Sequence, residues 1–126
     1  MKYVVKMKRT GPTNIYLRLL VSDLRKAYKR YGAPIWKTVA EMLYKPRRRR
    51  IVVNVDRIAT FTKSGDTVVV PGKVLGGGNI GHPVTVAAWR FSTIARRKIE
   101  RAGGECITIR ELIRRNPVGK NVKIIG

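Results

Sequence analysis

The sequence predicts an α/β fold in which two helices precede a core of short strands. Two apolar runs, Thr67-Val68-Val69-Val70 and Val84-Thr85-Val86-Ala87-Ala88, flank a glycine-rich turn. Neither run alternates apolar with polar residues, so both read as strands covered on two faces. Helical periodicity lies upstream of the pair and helix start and stop signals lie downstream. Charge is also segregated: the net charge is +13 over residues 1–50, +1 over residues 51–89 and +7 over residues 90–126. The near-neutral middle therefore reads as scaffold. These observations divide the chain into a basic N-terminal extension, residues 1–50, packed on or continuous with a core, and a β/α core with a basic C-terminal tail, residues 51–126.

At the N-terminus Lys2, Lys6, Lys8 and Arg9 stand among apolar residues. This segment is expected to add a strand or to act as an arm that orders on binding. Thr13 or Asn14 caps a helix over about 15–31, because its side-chain oxygen accepts an orphan N–H of the first turn. Leu17, Leu20, Val21, Leu24, Ala27/Tyr28 and Tyr31 recur at spacings of three and four, which makes one apolar stripe. Arg18, Arg25 and Lys29 share the other side. Gly32 stops this helix and Pro34 starts the next, whose stripe is Trp36, Val39, Ala40 and Leu43; Pro46 ends it.

Five cations in six residues follow, Lys45 and Arg47, Arg48, Arg49 and Arg50 around Pro46. Like charges repel, so folding stability does not account for such a run. Arginine suits a phosphate contact because its planar fork grips two oxygens at once, and a nuclear-localisation label fits the same residues. Ile51-Val52-Val53 reads as a first interior strand, Asn54 as the cap of a short helix through Ile58 and Phe61, and Ser64-Gly65-Asp66 as a turn. Pro71-Gly72 is expected to end one apolar run and Pro83 to open the other. Ser92 caps a helix over 93–102 whose packed face includes Ile94, Ala95 and Ile99, with Arg96, Arg97 and Arg101 around the rest. Gly103-Gly104 ends it. Cys106-Ile107 is a short strand, Thr108 with Glu111 forms a capping box, and Asn116-Pro117 stops the last helix. The tail from Val118 is basic, with Val122, Ile124 and Ile125 able to pack back.

The whole chain carries 28 Lys/Arg against seven Asp/Glu, a net charge of +21 in 126 residues. Self-repulsion of this size is relieved by a polyanion, and the spread of cations over several elements favours nucleic acid over a membrane surface. One cysteine excludes an internal disulfide, and Cys106 in an apolar run reads as a buried, inert thiol. The apolar N-terminal run is too short for a signal peptide, so a cytoplasmic protein is expected. Gly76-Gly77-Gly78-Asn79-Ile80-Gly81 contains the dinucleotide spacing, but a strand rather than a helix follows, so no helix N-terminus faces a pyrophosphate. Gly72-Lys73 lacks the Ser/Thr and the earlier glycine of a phosphate-binding loop. The glycines instead permit close approach of backbone, to RNA or to a neighbouring strand. His82 has no companion ligands at metal spacing; an acid/base pair with Asp66 or a structural or RNA-contact role remains open. Trp36 reads as core, and for Trp89 and Phe91 core packing is favoured over stacking on bases.

A family resemblance rests on particular residues. It runs through Thr13-Asn14, Leu17, Leu20, Leu24-Arg25, Ile35-Trp36, Val39-Ala40-Glu41 and Pro46-Arg47. Its most specific part is Val68-Val69-Val70-Pro71-Gly72-Lys73-Val74-Leu75-Gly76, followed by His82, Val84 to Ala88, Phe91-Ser92, Ala102-Gly103-Gly104 and Asn116-Pro117. Over more than nine-tenths of its length the chain resembles the archaeal and eukaryotic large-subunit ribosomal protein numbered eighteen, with a core similar to bacterial-type ribosomal protein fifteen. The resemblance implies a compact core of irregular repeated strand-helix units. It also implies a structural, non-enzymatic rRNA-binding protein of the large subunit that touches neighbouring ribosomal proteins. No cofactor, metal, small-molecule substrate, membrane or homo-oligomer is implied. The RNA contacts are expected from Lys6, Lys8, Arg9, Arg18, Arg25, Lys29, Lys45, Arg47, Arg48, Arg49 and Arg50. From the core and tail they are expected from Lys73, His82, Arg90, Arg96, Arg97, Arg101, Arg114, Arg115 and Lys120. The alternative is a free-standing RNA- or DNA-binding regulatory or chromatin protein, which the same charge pattern supports.

Overall fold

The structure, a computed structural model, describes residues 15–44 and 51–126. The expected Thr13/Asn14 cap, the Pro46 stop, the arm cations Lys6, Lys8 and Arg9, and the loop cations Lys45, Arg47, Arg48, Arg49 and Arg50 lie outside the described residues. The chain divides into two compact units, residues 1–50 and 51–126.

In the first unit α1 (Ile15–Tyr31) and α2 (Pro34–Leu43) pack against each other. Gly32, at φ +68°, donates to the Tyr28 carbonyl at 2.8 Å and so closes the end of α1 in the left-handed conformation that favours glycine. Leu17, Leu20, Val21, Leu24 and Ala27 are buried, as are Trp36, Val39, Ala40 and Leu43. The α1 stripe ends before Tyr31, which is exposed at the helix terminus.

The second unit contains β1 (Ile51–Asn54), α3 (Val55–Phe61), β2 (Thr67–Leu75), β3 (Thr85–Phe91), α4 (Thr93–Arg101), β4 (Glu105–Thr108), α5 (Ile109–Arg115) and β5 (Val122–Ile124). The strands form a parallel sheet in the order β1-β2-β3-β4, with β5 also on β2. One edge of β2 is shared: β5 pairs with Thr67–Val69 and β1 with Gly72–Leu75. β1 is thus an edge strand, not an interior one, and its Val52 is exposed.

The strand does not end at Pro71-Gly72 as expected; β2 runs through both residues to Leu75. Pro71 falls where β5 gives way to β1 and where the register with β3 shifts, so it faces no registered partner and its missing N–H costs the ladder nothing. Gly72 is required there because a Cβ would lie 2.1 Å from the Ile51 carbonyl oxygen.

Both faces of the sheet are covered along Val68–Val70 and Val86–Ala88. Val68, Val70 and Val74 of β2 and Val86 and Ala88 of β3 share a core with Ile58 of α3 and Ala95 and Ile99 of α4. By strand alternation Val69, in register with Ala87, which is itself in register with Ile107, turns to the other face. These three are buried as well, and α5 packs against β3 and β4. Full burial of each valine or isoleucine among them contributes about 1.5–3 kcal/mol.

The caps of α4 and α5 form much as the sequence implies. Ser92 Oγ accepts from Ala95 N–H at 3.1 Å, and Gly103 and Gly104 donate to Glu100 and Ile99, the two-bond pattern that closes a helix on a left-handed glycine. Thr108 Oγ1 accepts from Glu111 N–H at 3.1 Å, but the Glu111 carboxylate turns to Arg114 and Arg115 instead of completing the box. Ile94 is exposed rather than packed inward. The tail does pack back, through β5 and the buried Ile125.

Candidate nucleic-acid interface

The register shift in β2 decides where its cation points. After the irregularity Lys73 pairs with Arg90 and Val74 with Phe91. Val74 and Phe91 pack into the core with α3 and α4, so Lys73 and Arg90 turn to the opposite face, side by side and exposed. Val52, exposed and in register with Lys73, extends the row. Like charges on directly paired positions destabilise a sheet. Among the described residues neither cation has a carboxylate partner; Arg90 lies 5.4 Å from the centroid of the half-buried Trp89 ring.

Helix α4 sorts its cations. Arg96, Arg97 and Arg101 are exposed, with Arg96 at 5.2 Å from the Phe91 ring centroid. Arg97 and Arg101 stand four apart, a spacing at which like charges repel. Lys98 behaves otherwise: its Nζ donates to the Gly76 carbonyl at 2.7 Å and the Gly78 carbonyl at 2.5 Å. It is a strap, not a surface charge.

The glycine loop fastened by Lys98 serves the fold itself. Gly77 N–H donates to Asn54 Oδ1 at 3.0 Å, and the Gly77 carbonyl accepts from Asp56 N–H at 3.2 Å. Asn54 therefore occupies the cap position of α3 without capping it; its side chain holds the loop. A Cβ at Gly78, which has φ +80°, would lie 2.2 Å from Asp56 Cβ. These glycines thus make a close approach to the protein's own elements, Asn54 and Asp56.

His82 Nε2 lies 2.7 Å from Thr62 Oγ1, and that hydroxyl donates to the Ile58 carbonyl at 2.7 Å. The hydroxyl has one proton, already committed, so His82 donates its Nε2–H to Thr62. Asp66 accepts from Lys63 N–H at 2.8 Å and from Lys123 Nζ at 3.0 Å, and these bonds hold its carboxyl below the usual range. Each member of the candidate acid/base pair is thus bound to other groups.

Other cations are matched by carboxylates. Arg115 grips Glu105 with two parallel bonds of 2.8 and 2.9 Å and reaches Glu111 with Nε at 2.8 Å, while Arg114 also binds Glu111. Hydrogen bonds from Arg114 and Arg115 pull the Glu111 carboxyl down to about 2, and Arg115 lowers that of Glu105. Both guanidinium groups are correspondingly held protonated more firmly. Lys120 is exposed on a turn closed by Asn116. In the helical unit Arg18 and Arg25 are half-buried, Arg25 at 5.1 Å from the Tyr44 ring centroid, and Lys29 is exposed in the last turn of α1. Cys106 is half-buried against the core, and burial pushes its thiol up to about 11, consistent with an unreactive side chain.

One group escaped sequence reasoning. Arg57 lies 5.4 Å from the centroid of Phe61, which is 54% exposed, and Lys123 donates to the Phe61 carbonyl at 3.2 Å. The available signal was the i,i+4 spacing of Arg57 and Phe61 on a short helix. Among the described residues no group of three metal-ligating side chains occurs, and no helix is long and apolar enough to cross a membrane.

A parallel sheet clothed in helices, carrying exposed cations that no carboxylate of the described residues neutralises, defines a class: a small α/β polyanion-binding scaffold. Comparison narrows the class. Residues 2–126 match the family described as ribosomal protein 60S L18 and 50S L18e, and the chain belongs to that family. It is 55% identical over 121 residues to the large ribosomal subunit protein eL18 of Methanopyrus kandleri, covering 92% of this chain and 95% of that one. Identity is 50% over 116 residues to the eL18 protein of Pyrobaculum aerophilum, again with 92% and 95% covered. For the eL18 protein of Methanothermobacter thermautotrophicus it is 48% over 119 residues, covering 94% and 98%.

Proposed function

We propose that the protein holds large-subunit rRNA in shape by contacting phosphates with cations that its own carboxylates leave unmatched. It is a structural, non-catalytic constituent of the large ribosomal subunit. The observation that carries the proposed mode of contact is the registered pair Lys73 and Arg90, two exposed cations side by side with no carboxylate between them. Their mutual repulsion is relieved when a phosphate lies across both. Arg96, Arg97 and Arg101 act likewise from α4, and the other basic positions named from the sequence are further candidates for contact with the RNA. Arg114 and Arg115, already bound to carboxylates, contribute least. Each neutralised phosphate releases counterions, and the rigid sheet lets the set of contacts select an RNA shape.

The reading places the protein in the cytoplasm, without a homo-oligomer, against rRNA and neighbouring ribosomal proteins. Sedimentation of lysate through gradients at low and high salt tests it. Comigration with large subunits that survives high salt is expected. Protein found free, or with chromosomal DNA or small RNAs, would overturn the assignment in favour of a free-standing nucleic-acid-binding protein.

A further inference from the structure

We infer that Phe61 is a stacking platform for one unpaired nucleobase, a contact distinct from the phosphate contacts of Lys73 and Arg90. The inference rests on the RNA-binding reading and adds to it a class of ligand: a single-stranded or bulged nucleotide. Phe61 is the last residue of α3 and, at 54% exposure, presents a large apolar ring to solvent. It borders a cavity of about 470 Å³ whose walls include Arg57, Lys123, Ile124 and Ile125. A flat base needs an aromatic or aliphatic wall to lie on and a cation near its phosphate, and this cavity supplies both.

Charge selects the occupant. Of the two cations around the ring, Lys123 is paired with Asp66 at 3.0 Å, while Arg57 is exposed and has no carboxylate side chain as partner among the described residues, so it is the cation left for a nucleotide phosphate. Arg57 adds a second planar surface, since its guanidinium stands 5.4 Å from the ring centroid while one of its terminal nitrogens donates to the Gly126 carbonyl at 3.2 Å. One backbone donor at the cavity is withdrawn from edge recognition, since the Ile125 N–H is bound to the Val69 carbonyl. Stacking without edge recognition tolerates every base.

The test compares the full-length protein with Phe61→Leu and Phe61→Trp on two RNAs. One is a single strand carrying 2-aminopurine; the other is a blunt duplex of equal length. Stacking quenches 2-aminopurine fluorescence. The wild type should quench it, Phe61→Leu should lose the quenching and bind the single strand about tenfold more weakly, and Phe61→Trp should restore both. Duplex affinity and the salt slope on both RNAs should stay unchanged, because no charge is removed. A melting curve verifies that the exposed site tolerates the changes. Equal quenching by Phe61→Leu and wild type would overturn the stacking site alone, as would a ring that instead serves a protein neighbour and leaves single-strand affinity unaltered. Failure of the wild type to bind either RNA would overturn the underlying RNA reading as well.

Discussion

Arg97 and Lys98 are adjacent on α4, yet one is exposed without a carboxylate and the other is bonded to two loop carbonyls. The same contrast separates two regions of the sheet unit. At the junction of β4 and α5, Arg115 binds Glu105 and Glu111 and Arg114 binds Glu111; on the row formed by β1, β2 and β3, Lys73 and Arg90 have no carboxylate among their registered neighbours. A basic protein therefore holds two populations of cations. Matched ones tie elements together, and unmatched ones remain for the ligand. Counting Lys and Arg cannot tell them apart, whereas locating the carboxylates and loop carbonyls they bind can.

The largest expected effect comes from emptying the unmatched population. Replacing Lys73, Arg90, Arg97 and Arg101 together by alanine should lower the slope of log affinity against log salt by about three, as each lost phosphate contact removes a little under one unit. RNA affinity at moderate salt should fall by orders of magnitude while the melting temperature holds or rises, because like-charge repulsion is removed. The matched pair should respond in the opposite sense: Arg114→Ala with Arg115→Ala should lower the melting temperature and change the slope by less than one. If both variants changed the slope equally, the division into two populations would fail.

Lys98 gives a sharper comparison with a smaller effect. Lys98→Met keeps the stem but leaves the Gly76 and Gly78 carbonyls without their charged donor, at a cost of about 1–2 kcal/mol in chemical denaturation. Arg97→Met, one residue away, should be near neutral for stability yet reduce the salt slope. An unchanged denaturation midpoint for Lys98→Met would mean that the strap contributes nothing to the loop.

How much of this was legible depends on the sequence distance over which each feature is determined. α1 spans the expected residues 15–31 and α2 starts at Pro34, since apolar periodicity, Gly32 and Pro34 act locally. The caps at Ser92 and Thr108 were visible for the same reason. The passage of β2 through Pro71-Gly72 was not, because it depends on β1 and β5 sharing one strand edge, and β5 lies some fifty residues downstream. Likewise Asn54 looks like a cap until the loop glycine 23 residues on takes its oxygen. The surplus of positive charge in the site was plain, and the assignment of individual cations was not: Lys123 meets Asp66 across 57 positions. Phe61 was grouped with Ile58 as part of a short helix, but only Ile58 is buried.

The smallest effect concerns pH and tests whether the matched cations are matched by charge. The Glu111 carboxyl falls from the ordinary 4.5 to about 2, chiefly through hydrogen bonds from Arg114 and then Arg115. A carboxyl whose folded-state pKa is depressed stabilises the fold above its unfolded value and loses that contribution as pH drops towards the folded one. The melting temperature of the wild type should therefore exceed that of Glu111→Gln by a constant, small margin above about pH 5, and the margin should close between 4.5 and 2. Glu111 is near the surface, so added salt should shrink the margin at neutral pH too. Thr108 caps α5 through the Glu111 backbone N–H, which glutamine retains, so the comparison isolates the carboxylate. A margin that survived below pH 2 would show that side-chain shape, not ionic pairing, holds this corner, and the distinction between matched and unmatched cations would then rest on Arg115 with Glu105 and Lys123 with Asp66.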